Sequence, residues 1–249
     1  MFKVGNLSIR KYVTPLALLL ATFSITQARA SVVIDGTRVI YPEKKTEVSV
    51  RMTNESTEPK LVQLWIDEGD QQTSPDKIDV PFAVLTPIFR IEPNKGQVAR
   101  IQYTRSKPLP TDRESVFWFN VLEIPAKPKV TENEQNYLQF RYRTRIKLFL
   151  RPDNLEGTAQ EAPDKLTFKY KPGYVQLDNP TPFHISISNL EVGENGEGGT
   201  AQAEMIAPRS TRLVELTGAK QALHNPVIKF QAINDYGGAP TREKNATAF

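Results

Sequence analysis

From residue 32 onward, apolar side chains recur at every second position in short runs, and turn residues separate the runs. In residues 46–52, Val48, Val50 and Met52 fall on one side and Glu47, Ser49 and Arg51 on the other. A two-residue period is that of a strand with one buried face. Runs of the same kind, rich in Val, Ile, Thr and aromatics, occupy residues 32–41, 61–67, 89–92, 97–103, 116–122 and 137–150. About seven strands is the count of an immunoglobulin-type sandwich. The pattern breaks at Arg151-Pro152-Asp153-Asn154, where the proline lacks a ladder donor. A second series occupies 166–170, 174–177, 184–188, 203–206, 211–216 and 228–233. The chain is therefore predicted to be all-β, with an N-terminal domain over 31–152 and a smaller β-sandwich over 153–249. Residues 193–199 are glycine-rich and acidic, with no lysine and no helix signal after them, and read as a hairpin tip. Residues 242–249 read as a disordered tail.

The first 30 residues differ from the rest. Lys3, Arg10 and Lys11 precede an uncharged run over 14–23, and Ala28-Arg29-Ala30 gives the small-x-small pattern of a cleavage point. This is the layout of a signal peptide, with an apolar core too short for a permanent span. Its removal predicts export and no membrane insertion afterwards. Export changes the reading of the charge. Of the 32 basic residues, four (Lys3, Arg10, Lys11, Arg29) lie in residues 1–30, whereas none of the 28 acidic ones does. Residues 31–249 carry equal numbers of each, so no general attraction to nucleic acid or anionic lipid is indicated. The chain has no cysteine, which excludes disulfides, thiolate metal sites and cysteine nucleophiles. Neither of its two histidines, His184 and His224, has metal-ligand spacing to a partner, and His184 sits in an alternating run as a structural residue. No nucleophile elbow, phosphate loop or zincin pattern occurs. The sequence thus predicts no enzyme, no metal and no cofactor.

The most distinctive run is 138–150. Leu138, Phe140 and Tyr142 alternate with Gln139, Arg141 and Arg143, and the run ends in Arg145-Ile146-Lys147-Leu148-Phe149-Leu150-Arg151. As the last strand of its domain it is expected at a sheet edge, where a bulky apolar row invites pairing with another chain. The same row also fits residues that simply fill their own core.

Several segments bear on that choice. They are Gly36-Thr37-Arg38-Val39-Ile40-Tyr41-Pro42, residues 109–120 (Leu-Pro-Thr-Asp-Arg-Glu-Ser-Val-Phe-Trp-Phe-Asn), residues 145–152, Asn179-Pro180-Thr181-Pro182-Phe183 and Ile233-Asn234-Asp235-Tyr236-Gly237. In this order, across nearly the whole exported chain, they resemble the motifs of the PapD-like periplasmic pilus chaperones of the chaperone–usher pathway. The resemblance implies two immunoglobulin-like domains set at an angle around a cleft. It implies a chaperone that lends its long strand to pilus subunits lacking a last strand, and delivers them to an outer-membrane usher. By position, Leu138, Phe140 and Tyr142 would fill the subunit's groove, and Arg38 and Lys147 would hold its C-terminal carboxylate. A guanidinium and an ammonium suit that task, at about 1.5–3 kcal/mol per charge-assisted bond. Burying each apolar side chain would add about 1.5–3 kcal/mol before ordering costs. Glu114, Arg151 and Asp235 would form a structural charge cluster joining the domains. The short polar loop 126–136 and the absence of cysteine resemble the subclass that serves rod-like pili with adhesive tips.

Two points stand apart from the family pattern. Tyr142 is bulkier than the usual aliphatic residue. Moreover, Ile146 shares parity with Phe140 while Lys147 does not, which predicts a bulge or sharp twist between Tyr142 and Lys147. The main competing reading is an exported immunoglobulin-like adhesion module that binds glycan or polyanion through the row Arg141, Arg143, Arg145, Lys147. Self-association of the free protein is left open.

Overall fold

The computed structural model describes residues 31–125, 138–219 and 222–249. The predicted signal peptide (1–30), Tyr137 and the loop 126–136 lie outside them. In chain order the first sandwich comprises β1 (Val32–Ile34), β2 (Arg38–Pro42), β3 (Val48–Asn54), β4 (Lys60–Asp67), β5 (Phe82–Val84), β6 (Ile88–Ile91), β7 (Gly96–Tyr103), β8 (Ser115–Ile124) and β9 (Tyr142–Arg151). One sheet has the order β1-β3-β7-β5 and the other β2-β9-β8-β4-β6. The inward rows are those the alternation marks. Val50 and Met52 of β3, Val62, Leu64 and Ile66 of β4, Ile101 of β7 and Phe117 and Phe119 of β8 pack into one core.

The run 32–41 is two strands, not one. β1 pairs with β3 in the first sheet, whereas β2 pairs with β9 in the second. The chain changes sheets at Asp35-Gly36-Thr37, where Gly36 has φ 121°, a conformation that side-chain-bearing residues rarely adopt.

The second sandwich comprises β10 (Thr167–Lys171), β11 (Tyr174–Asn179), β12 (Ile185–Val192), β13 (Thr200–Ile206), β14 (Ser210–Glu215), β15 (Val227–Ala232), β16 (Thr241–Asn245) and β17 (Thr247–Ala248). Its sheets run β14-β11-β10-β17 and β13-β12-β15-β16 around a separate core that includes Phe168, Leu177, Ile187 and Phe230. Residues 193–199 form the tip of the β12–β13 hairpin, as their glycines predict. The tail is not disordered. β16 pairs with β15, β17 pairs with β10, and Ala246 between them is buried. Arg242 Nε fastens this segment to Asp164 Oδ1 at 2.7 Å.

Candidate functional site

β9 decides the geometry of the site, and it differs from the expected strand in three ways. It begins at Tyr142; Leu138, Phe140 and Arg141 precede it in irregular backbone. It is not an edge strand throughout, because β2 runs parallel along its second half and pairs Arg38 with Lys147 through Pro42 with Arg151. Among the described residues only Tyr142–Ile146 has an outer edge with no strand beside it. Finally, there is no bulge. The ladder with β8 runs without a register shift from Ser115↔Leu150 to Glu123↔Tyr142. The parity that suggested one has a simpler cause. The even row is continuous, but its surroundings change along the strand. Leu148 and Leu150 are buried in the first core and Ile146 packs against it, whereas Tyr142 lies beyond its reach and is 63 % exposed. Ahead of it, Leu138 and Phe140 are exposed at 79 % and 61 %.

The odd row of β9 lies on the opposite face. Paired residues share a face, so the ladders place Arg38 of β2 and Trp118 of β8 beside Lys147. The Arg38 guanidinium stands 5.7 Å over the ring of Phe149, and its Nη1 donates to the Ile233 carbonyl at 3.0 Å. Phe149 is buried, with its ring 5.4 Å from that of His184 in the second sandwich. Lys147 Nζ donates to the Ser186 hydroxyl at 3.1 Å. Each cation is thus held by one group of the second sandwich. Among the described residues neither has a carboxylate within 4.0 Å. Burial pushes the Arg38 guanidinium down from its ordinary value, against the opposing charges of Asp235 and Glu114. Burial first, and the Arg38 charge second, hold the Lys147 ammonium below its usual range. Two adjacent, half-buried cations without a counter-ion are poised to accept one carboxylate.

Two charge clusters flank this pair. In one, Arg151 donates from Nε to Glu114 Oε1 at 2.7 Å and from Nη1 and Nη2 to Asp235 at 2.7 and 2.9 Å. Glu114 is 4 % exposed, and its other oxygen accepts the His184 backbone N–H at 2.8 Å. Its own N–H donates to the Pro182 carbonyl, within the Asn179–Phe183 motif, at 2.9 Å. Burial works against the Arg151 charge, but Asp235 and Glu114 outweigh it and raise its pKa above the ordinary arginine value. Glu114, Arg151 and Asp235, distant in sequence, therefore meet at the junction of the sandwiches. The other cluster is one that the sequence pattern does not announce. Asp67, buried at the end of β4, binds Arg143, Arg145 and the Asn120 amide (2.7 Å). Arg143 and Arg145 lie over Trp65 and Trp118 at 4.9 and 4.6 Å. Two members of the basic row proposed for polyanions are thus already engaged by one carboxylate, which offsets one of their two charges. Asp67, Ser186 and the Ile233 carbonyl carried no signal of spacing; only the ladders bring them to the site.

Comparison with known proteins finds relatives over most of the chain. A family model described as "Pili and flagellar-assembly chaperone, PapD N-terminal domain" matches residues 31–156, and "Pili assembly chaperone PapD, C-terminal domain" matches 161–244. The "Chaperone protein FimB/FhaD" of Bordetella pertussis is 47 % identical over 218 residues, 85 % of this chain and 86 % of that one. A crystal structure of the Pseudomonas aeruginosa CupB2 chaperone is similar with a TM-score of 0.73 and 38 % identity, covering 86 % of this chain and all of that one. A Salmonella enterica structure of SafA pilin in complex with the SafB chaperone is similar with a TM-score of 0.73 and 28 % identity, over 87 % of this chain and 97 % of that one.

Proposed function

Because the chain belongs to the PapD-like family of pilus-assembly chaperones, we propose that it binds pilus subunits in the periplasm through the open edge of β9. It does so without catalysing a reaction. Leu138, Phe140 and Tyr142 fill the subunit's groove, and Arg38 and Lys147 anchor its terminal carboxylate. One observation carries this reading: the open edge at Tyr142–Ile146 ends at the uncompensated cation pair. A subunit strand that lies along this edge with its carboxylate at Lys147 must run parallel to β9. β2 is also parallel and begins at the same point, so the two would share one edge of β9, end to end. If 138–141 extend on binding, Leu138 to Lys147 would span about 30 Å at about 3.3 Å per residue, enough for the apolar row to set affinity while the carboxylate sets register.

Delivery to an outer-membrane usher belongs to the same proposal. Its support is family membership, with a candidate face away from the β9 edge where Leu61 and Ile88 stand among Gln63 and the exposed Arg90. The β4–β6 pairing puts Leu61, Gln63 and Ile88 on the outward face, with Leu61 42 % and Ile88 56 % exposed.

The test is co-purification from the periplasm with the pilus subunit of the same gene cluster. Wild type is expected to recover soluble subunit at low and high salt. Arg38→Ala, Lys147→Ala and the pair Leu138→Ala/Phe140→Ala are expected to lose it while staying folded. Undiminished recovery by all three would overturn the reading. Capture that collapses with salt would favour polyanion-type binding instead.

A further inference from the structure

Tyr236 is 94 % exposed, more than any other large apolar or aromatic residue among those described. Its side chain has no ring contact, hydrogen bond or ion pair among the described residues, yet the backbone that carries it is fastened on every side. The Asn234 side-chain carbonyl accepts the N–H groups of Tyr236 and Gly238, each at 3.0 Å. The Asn234 N–H donates to the Gly238 carbonyl at 2.8 Å, and the Gly237 N–H donates to the Asn234 carbonyl at 3.1 Å. Gly237 has φ 86°, and a Cβ there would lie 2.8 Å from Thr37 Oγ1. The loop therefore needs glycine both for its turn and for its close approach to the first sandwich.

The attachments place the ring. Ile233 holds Arg38 through its carbonyl, Asp235 takes both terminal nitrogens of Arg151, and Gly237 rests on Thr37, the residue before Arg38. Both neighbours of Tyr236 are docked on the first sandwich beside the cation pair. A tyrosine on a fixed backbone has only two side-chain torsions to order and a large area to bury. Those are the properties of a binding hot spot.

We propose that Tyr236 is a subunit-binding residue contributed by the second sandwich. It packs against an apolar side chain among the last residues of the subunit strand while the carboxylate sits on Arg38 and Lys147. This rests on the anchor reading and extends it. The site then spans both sandwiches: cations from the first set the end of the strand, and an aromatic from the second selects the side chain next to it.

Fluorescence anisotropy with a synthetic peptide of the C-terminal strand of the same cluster's pilus subunit tests the idea. The peptide is made with a free carboxylate and as the amide. Tyr236→Ala should weaken binding of the free-carboxylate peptide about tenfold, and Tyr236→Phe should keep it within about twofold of wild type. Neither should lower Tm, because the ring makes no hydrogen bond, ion pair or ring contact among the described residues and is 94 % exposed. Alanine at the peptide's terminal apolar positions should weaken wild type by the same factor and Tyr236→Ala no further. If Tyr236→Ala binds like wild type while Arg38→Ala and the amide do not, the proposal is wrong and the anchor stands. If Arg38→Ala and the amide bind fully, the anchor is wrong and the proposal falls with it.

Discussion

Among the described residues, Lys147 and Arg38 are half-buried charges with no carboxylate within 4.0 Å, an arrangement that opposes the stability of the free protein. Lys147 has its pKa below the ordinary value of about 10.4. Between the two values the unfolded chain binds more protons than the folded one, so stability rises with pH across that window. Lys147→Met should therefore unfold at an equal or higher urea concentration than wild type at pH 7, and should flatten the rise toward pH 10. The same variant should bind no subunit. A clear loss of stability would show that the ammonium is a structural support. Subunit affinity in wild type should fall as pH rises through the lowered Lys147 pKa, earlier than an exposed lysine would allow. Asp67 gives a pH slope of the same sign for the opposite reason: its charged form is favoured by the fold, where that of Lys147 is disfavoured. Burial works to raise its pKa, but hydrogen bonds from Arg145, Asn120 and the Gly69 N–H prevail and hold it low. Its contribution is complete above the unfolded-state value and is lost as pH falls through the folded one. Asp67→Ala removes the one carboxylate that Arg143 and Arg145 share and should cost about 3–5 kcal/mol, measured by urea unfolding at pH 7.

At the scale of elements, β9 is one regular strand with two different settings. Its second half is enclosed by β2 and β8, and its even residues complete the first sandwich. Its first half keeps β8 on one side only. No change of backbone marks the transition; β2 simply begins at Arg38 and reaches no further along β9. The C-terminal strands carry a prediction of their own. β16 reads Thr-Arg-Glu-Lys-Asn, with no apolar row, and its strand state comes from the ladder to β15. Deleting 241–249 removes that ladder, the buried Ala246 and the Arg242–Asp164 pair. Tm should fall by about 5 °C or more, as expected for a loss of one or two kcal/mol in a domain of this size. An unchanged Tm would mean that the tail adds nothing to the fold.

Across the molecule, the junction is polar where the two cores are not. Arg151 of the first sandwich joins Glu114 to Asp235, Glu114 reaches the His184 N–H, and Lys147 and Arg38 bond to Ser186 and Ile233 of the second sandwich. The geometry of the Arg38–Lys147 pair thus depends on how the sandwiches meet. Arg151→Ala leaves the buried Glu114 carboxylate uncompensated and should cost about 3–5 kcal/mol. It should also weaken subunit capture although Arg38 and Lys147 are intact, which co-purification alongside a urea melt would separate from simple unfolding. Wild-type capture by a well-folded Arg151→Ala would confine the cluster to stability.

The sequence by itself determined the fold class. Val62, Leu64 and Ile66 point inward because a strand's side chains alternate, and the proline after Arg151 ends the ladder wherever the strand lies. It also determined which residue types could meet a carboxylate or fill a groove, and the order of motifs that marked the family. Tertiary structure alone decided three things. It divided residues 32–41 between two sheets, because Gly36 permits a turn that alternation does not reveal. It ordered a tail with no apolar row, because backbone hydrogen bonds do not depend on side-chain pattern. And it set Arg38 beside Lys147, with Ser186, Ile233 and Phe149 around them. Strand pairing joins residues far apart in the chain, and periodicity describes only neighbours along it.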